Sequence, residues 1–471
     1  MKKIAYYITS VLCLCLYLGC SDFLEESSQD LMIPKTIKDY KEFLYGEGID
    51  NNTVIHDYLD IMTDDTEEWM SRGFLANDWR LPVWGYYTWQ EDPEIGINNE
   101  MTADNAWDTY YHRILVTNVI LNDVENIEGD KNEKYDLMAE CYFIRAYSYF
   151  MLANLYGKPY IDAESAAKDP CVPINNEVSI SDKMFGRATV ADVYKHIESD
   201  LTQAVRYFRE SNLEKSIFRP NLPTAYLLLS RVSLFQKKYQ ETINYADSVM
   251  KTTRAVLCDL NTYTKSDYFF SSLNPELLYS YGWSSISAFQ ESASYLGVLI
   301  PSKELMALYS EDDLRLTYYY AGSKKTKPLK WDKYSNVYAH AFRISEVFLN
   351  RAEAYAELEN VQSAISEINA LREKRFSKEN PIQAASKEEI IQKVREERRM
   401  ELCFEGFRWF DLRRWDRPRI EHTYSSADDV NAYDIYVLEE NSPSYTLPIP
   451  KKERDLNTVI ERFERQKSIT K

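Results

Sequence analysis

A pair of amphipathic helices that occurs twice at a fixed offset constrains this chain more than any other feature. Phe342, Ser345, Phe348, Leu349, Ala352, Tyr355 and Ala356 follow a three-then-four spacing that gathers them on one helical face. After the polar break Leu358-Glu359-Asn360, the period resumes through Val361, Ala364, Ile365, Ile368 and Leu371. So short a connection makes the two helices antiparallel. The stretch from Ala225 repeats the pattern without gaps: Ser230, Ser233, Tyr239 and Thr242 fall 122 residues before Ala352, Tyr355, Val361 and Ala364. Small residues that let helices approach, with aromatics beside them, are the pattern of tetratricopeptide units. The expected fold is therefore mainly all-α: tetratricopeptide-like helical hairpins with long irregular loops and a few short strands. Neighbouring repeats of that kind are about 34 residues long, so the offset implies an insertion, supplied by residues 254–340.

The rest of the chain adds helices to this pair. Trp107, Tyr111, Ile114, Asn118, Leu121 and Val124 form one stripe in a helix expected from Thr102. A second helix is expected over roughly 134–156, ending at Gly157 with Pro159 beyond. Thr189 opens another, with Asp192 three residues on and Val193, Ile197, Leu201 and Phe208 in helical spacing. Ser386 with Glu389 forms a capping box for a strongly charged helix that runs into Cys403-Phe404-Glu405-Gly406, where Gly406 suits a helix C-terminus. Along it Lys393 with Glu397, Glu396 with Arg399 and Arg398 with Glu401 are spaced to pair, each contributing about 0.2–0.5 kcal/mol if exposed. Beyond Ile420 the chain is expected as polar coil with short extended pieces such as 433–438, the Pro448-Ile449-Pro450 closure and a last helix from about Asp455.

Charge and cysteine content narrow the chemistry. The net charge is −18, a surface that repels a phosphate backbone, so nucleic acid is not an expected partner. Cys141, Cys171, Cys258 and Cys403 are scattered without metal-ligand spacing, and no metal, cofactor or disulfide framework is expected. The five histidines form no ligand or nucleophile-base motif, and no glycine-rich phosphate loop, HExxH or GxSxG occurs. A glycosidase pair drawn from Asp64, Asp65, Glu67 and Glu68 is disfavoured, because adjacent acids on one loop do not face each other across a bond. The chain is thus not expected to be an enzyme. Its oddity is ring content: 37 tyrosines and nine tryptophans exceed what a helical core usually needs.

Several blocks, in order, carry a family resemblance. "AWDTYYHRILVTNVIL", "AECYFIRAYSYFMLANLYGKPYID", "FRISEVFLNRAEAYAELENVQSAISEINALREKR", "EERRMELCFEGFRWFDLRRW" and "YTLPIPKKERDLN" strongly resemble segments of the SusD/RagB outer-membrane nutrient-binding lipoproteins. At the start, Lys2-Lys3 and the apolar run from Ile4 to Leu18 have signal-peptide form, too short for a comfortable membrane span. Gly19-Cys20 then resembles a lipobox, although Tyr17 and Leu18 depart from its first two positions, and the acidic flank Ser21 to Glu26 resembles that of surface-exported lipoproteins. The resemblance implies a leader over 1–19, an acylated Cys20 (palmitate among its chains), and a SusD/RagB-like domain over 20–471. Within it, 21–253 is an N-terminal half, 254–340 a variable aromatic insertion and 341–471 a C-terminal half. It also implies an outer-membrane, lipid-anchored location facing the cell exterior. The implied partner is a SusC-like TonB-dependent outer-membrane transporter, over whose mouth the protein would sit as a lid.

Sugar recognition suits rings on loops, because an aromatic face stacks on the C–H face of a pyranose while amides and carboxylates bond its hydroxyl edge. The resemblance implies that such rings come from loops before the first repeat helix and from the insertion. Trp84, Trp89 and Trp283, with Tyr86 and Tyr281, are the candidate platform, and Asn98, Asn99 and Gln290 the candidate polar partners. The charged "EERRMELCFEGFRWFDLRRW" block is expected to be a structural clasp, with Arg408, Arg413 and Arg414 able to stack on Trp409 and Trp415. The expected function is capture of oligo- or polysaccharide and delivery to the transporter. The alternative is a repeat-scaffold adaptor or a peptide-binding member of the same uptake family.

Overall fold

The computed structural model describes residues 34–49, 58–69, 84–97, 99–101, 106–180, 182–264, 268–282, 299–331, 340–425, 433–461, 465 and 469–470. Cys20 and the leader lie outside the described residues, as do Trp283, Asn98 and Gln290. No described helix is long and apolar enough to cross a membrane.

Packed helix pairs build the body. Helices α1 (Ala106–Asp123), α2 (Lys131–Tyr156) and α3 (Val190–Ser211) pack in sequence, followed by the hairpin α4 (Leu222–Phe235) and α5 (Tyr239–Thr252). The second hairpin is α6 (Ile344–Glu357) and α7 (Val361–Glu373), and α5 packs on α6 to join the two. Leu222 and Ile344, and likewise Tyr239 and Val361, are 122 residues apart, so both helices of the hairpin recur at the offset visible in the sequence. The small residues at the crossings are buried: Ser230, Thr242, Ala352 and Ala364 are fully inaccessible, and the Ser230 hydroxyl donates to the Thr242 carbonyl at 3.0 Å. Residues of these types let backbones approach where bulkier side chains would hold them apart. The fold is all-α in its scaffold, with short strands attached.

Capping follows the side chains. Asp130, Thr189 and Ser386 each accept from the backbone three residues on, at α2, α3 and α8 (Lys387–Leu402). Glu389 accepts from Ala385 N rather than from Ser386 N, one residue outside the expected box. Helix α9 (Arg408–Arg414) follows α8 across Gly406, whose φ of +77° is the left-handed geometry a helix exit favours for glycine. Two boundaries differ from expectation. Phe342 belongs to a strand, and the tail helix α10 spans Lys451–Leu456 rather than beginning near Asp455, because Pro450 opens it.

Short antiparallel ladders tie the loops to the helices. Strand β1 (Thr66–Glu68) pairs with β3 (Leu299–Pro301), and β2 (Leu277–Tyr281) with β4 (His340–Arg343). Strands β5 (Ile420–Ser425), β6 (Tyr433–Leu438) and β7 (Ile469–Thr470) form a third sheet in that order.

Helix α8 is the clasp, but its ion pairs are not those its own spacing suggests. Glu401 is fully buried and accepts from Arg343 Nη1 at 2.6 Å, Arg375 Nε at 2.9 Å and Arg315 Nη1 at 3.2 Å. Around it, Asp313, Glu276, Glu397 and Glu405 meet Arg315, Lys330, Arg343, Arg372 and Arg375, so five carboxylates face five cations. Glu397 turns to Arg315 and Arg372, Arg398 to Asp411 and Asn350, and Lys393 to Glu389 instead of the expected partners. For Glu397 and Arg398 the reason is burial: their face of α8 has no water to solvate it, so each charge needs a partner from another element, whereas Lys393 and Glu389 pair along α8 where both keep exposure. Arg414 and Arg395 stack on Trp415, as the aromatic-basic pattern allows, whereas Trp409 stacks on Tyr445.

Glu401→Ala removes the carboxylate shared by three buried guanidinium groups, leaving five cations to four carboxylates, and is expected to lower the unfolding free energy by about 3–5 kcal/mol, read by urea titration. Arg414 holds Glu353 at about 2 against the opposing effect of burial. Glu353 therefore contributes its full stability above its ordinary value of 4.5 and loses it as pH falls through about 2. A plot of thermal midpoint against pH should fall less steeply on its acid side in Glu353→Gln.

Candidate functional site

The two regions singled out for their rings converge at one ladder. In β1–β3, Glu68 lies opposite Leu299, so the chain leaving residue 68 and the chain arriving at 299 share one end of the pair. Strand β5 reaches the same point, where Ser425 N donates to the Glu68 carboxylate at 2.9 and 3.2 Å. Glu68 is buried, and its carboxylate is a fixed acceptor that pins a third chain segment to the ladder. The segments flanking 70–83, 283–298 and 426–432 are therefore rooted together.

The clasp holds this root. Arg408 grips Asp64 with two parallel bonds, Nε to Oδ1 at 2.8 Å and Nη2 to Oδ2 at 2.7 Å, while Arg399 Nε donates to Asp65 Oδ1 at 2.6 Å. Ser302 completes the joint, its hydroxyl donating to Asp64 O at 2.6 Å and its N–H to Asp65 O at 2.8 Å. Despite burial, the two arginines hold Asp64 below the usual carboxylate range; burial and the adjacent Asp64 push Asp65 up even though Arg399 opposes this. Burial also pushes Asp60, which accepts from Gly406 N, up to about 7. Glu67 accepts from Lys303 N at 3.0 Å. All four acids weighed as a catalytic pair thus hold chain segments together.

The candidate platform residues divide by environment. Trp84 opens the short helix Trp84–Tyr87 and is half-buried, its ring edge-on to Tyr436 of β6 with centroids 6.3 Å apart. Half-buried Tyr424 of β5 meets Tyr436 in turn at 6.5 Å, so Trp84 and Tyr424 flank Tyr436, itself only 7% exposed, and form an aromatic rim beside the ladder. Trp89 is only 1% exposed; its indole N–H donates to Met62 O at 3.0 Å and its ring stacks on His422. His422 also stacks on Tyr87, and its two nitrogens meet the Tyr87 and Thr63 carbonyls; burial nevertheless pushes the imidazole down to about 4. Tyr86 stacks on Tyr58 with parallel rings 4.1 Å apart and is buried.

Tyr281 is buried too, its hydroxyl bonded to that of Tyr147 on α2 and its ring stacked on Tyr279. No ring contact joins it to Trp84, Tyr86 or Trp89 among the described residues. Asn99 is exposed, with φ of +61° in the turn whose Gly96 N bonds Glu100 O. Trp89, Tyr86 and Tyr281 are therefore core rings rather than an open shelf. Their partners, His422, Tyr58 and Tyr147, stand far away in sequence, where no local pattern reveals them.

Known proteins share the family and the fold of this chain. The family model described as "Starch-binding associating with outer membrane" matches residues 22–234, and that of the SusD family matches 310–464. The chain belongs to the SusD/RagB family. SusD-like protein P25 of Formosa agariphila is 20% identical, over 94% of this chain and 95% of its own length. A SusD superfamily protein from Bacteroides thetaiotaomicron superposes with a TM-score of 0.72 at 23% identity, covering 91% of this chain and 100% of its own. A SusD-like carbohydrate binding protein from Bacteroides vulgatus gives 0.67 at 18% identity, covering 91% and 98%. At such identities the likeness is one of fold, and the rim of this SusD/RagB chain has to be judged from its own side chains.

Tyr424 and Tyr436 were not among the sequence candidates. The extended piece expected at 433–438 is a strand, but only the sheet register sets Tyr436 beside Trp84. Glu68 carried no distinguishing signal, since its partner is a backbone N–H. Trp89→Ala is expected to lower stability by about 3–5 kcal/mol, the range for removing a buried large aromatic. Half-exposed Trp84→Ala should cost clearly less in the same urea titration.

Proposed function

We propose that this SusD/RagB chain is a cell-surface glycan-binding lipoprotein that captures oligo- or polysaccharide and delivers it to a SusC-like TonB-dependent outer-membrane transporter. The observation that carries the reading is the shared root of three chain segments at Glu68, Leu299 and Ser425, beside the rim of half-buried Trp84 and Tyr424 packed on Tyr436. Rings held at a rigid base lose little freedom when a sugar stacks on them, which favours binding by a shallow surface. Trp283, Asn98 and Gln290 remain proposed ligand residues beside Trp84, and exposed Asn99 remains a proposed polar partner.

Three further features support the reading. The family description names starch binding and association with the outer membrane. A structural neighbour in Bacteroides vulgatus is called a carbohydrate binding protein. The acids next to the ladder are engaged by Arg399, Arg408, Lys303 and Ser425, which fits capture and release without covalent chemistry. Cys20 is the proposed acylation site; several acyl chains there would tether a soluble body to the bilayer. No cofactor enters the mechanism.

Isothermal titration against a panel of neutral and acidic polysaccharides tests this. Binding to one glycan is expected, weakened about tenfold or more by Trp84→Ala, a loss of ~1.4 kcal/mol. Silence across the panel, with retained binding to the co-expressed barrel, would replace it with the adaptor or peptide-binding reading.

A further inference from the structure

A second concavity opens on another part of the molecule, with a volume of about 680 Å³. That size falls within the range of small-ligand sites, about 300–1,000 Å³. Its walls come from the π-helical turn 44–49, the first turns of α1, the chain around 173–185 and the tail helix α10. Single-turn π segments are rare and are frequently found at functional sites.

One wall is aromatic. Trp107 and Tyr111 stand with centroids 4.7 Å apart and planes tilted by 48°, and the Tyr111 hydroxyl is anchored on Pro173 O at 2.7 Å. Phe185 faces the same space. Tyr111 and Phe185 are half-buried, leaving part of each ring for an apolar surface to cover.

The remaining lining is acidic. Glu47, Asp108 and Glu453 come from three separate elements, and no lysine or arginine is among the described lining residues. Burial and the nearby Asp108 carboxylate raise the pKa of Glu453. The present counter-charges are loosely held. Lys452 lies 3.6 Å from Asp108 with both side chains mostly exposed, and His112 lies 2.9 Å from Glu47 with both about half exposed. Exposed pairs of this kind contribute little and exchange readily. An occupant bringing its own positive charge would relieve the mutual repulsion of Asp108 and Glu453. A bare metal ion is the poorer fit, because no described group of three or more His, Cys, Asp or Glu side chains converges as ligands.

We propose that this cleft is a second binding site, specific for a ligand that joins a sugar-sized body to a protonated amine: an amino sugar in its unacetylated form. The ring face would cover Tyr111 and Phe185, and the ammonium would sit between Asp108 and Glu453. The proposal stands independently of the rim at Trp84, since it shares no residue with it.

Titration at near-neutral pH with a β-1,4-linked glucosamine trimer is the test, with the N-acetylglucosamine trimer and tri-lysine as comparisons. The glucosamine trimer is expected to bind, to weaken with added salt, and to lose about tenfold in affinity or more in Asp108→Asn and in Glu453→Gln. Trp84→Ala should leave this binding unchanged, which separates it from the rim. Asp108 is exposed, so its variant keeps the fold, and an unaltered far-ultraviolet spectrum with an unaltered melting temperature verifies that. The proposal is overturned by absence of glucosamine binding, by equal binding of the acetylated trimer or of tri-lysine, or by undiminished affinity in Asp108→Asn.

Discussion

The buried charge network around Glu401 is the interaction on which the other contacts depend. Its carboxylate receives guanidinium groups from the β4 strand, from the end of the second hairpin and from within the insertion, and Lys330 caps the carbonyls of Glu401 and Cys403. Removing so many charges from water is unfavourable unless every one is paired and hydrogen-bonded. The arrangement meets that condition only when α8, β2, β4 and the chain at 313–330 are all in place. Apolar packing tolerates slippage between helices, whereas this network has one satisfactory register. It therefore specifies how the irregular middle of the chain docks on the hairpins.

The same helix extends that order to the candidate rim. Arg399, two residues before Glu401 and so on another face of the helix, holds Asp65, and Arg408 beyond Gly406 holds Asp64. Those two aspartates begin the turn into β1, and β1 carries Glu68, the anchor of β5. A continuous set of charge-assisted bonds thus runs from the core of the clasp to the base of the loops. Binding proteins with shallow aromatic sites need such a base, because rings on a loose loop would lose too much freedom on stacking. The charged block near the C-terminus thus holds the described ends of β1, β3 and β5 together.

Some of the rim was legible in the sequence and some was not. Trp84 lies where aromatic loops lead into the helical array, and it keeps an exposed face. Trp89, five residues on, came with the same local signals and is buried, because His422 and the Met62 carbonyl receive it. Tyr281 lies in the aromatic insertion yet pairs with Tyr147 inside the array. Local composition reports how many rings a loop carries. Whether each points inward depends on residues 27 or more positions away, which leave no trace in a window of neighbours.

Periodicity alone determined the helical hairpins, their recurrence at 122 residues, the caps at Thr189 and Ser386 and the break at Gly157, because these follow from steric and hydrogen-bonding preferences acting within a turn or two of the chain. Tertiary structure alone decided the partners of the charged clasp, the meeting of Glu68 with Leu299 and Ser425, and the acidic cleft shared by Glu47, Asp108 and Glu453. Pairings of that kind depend on where the desolvated face of each element finally lies. Desolvation is a property of the packed molecule, and i,i+3 and i,i+4 spacing on α8 could not anticipate that its buried charges would look outward to several other segments.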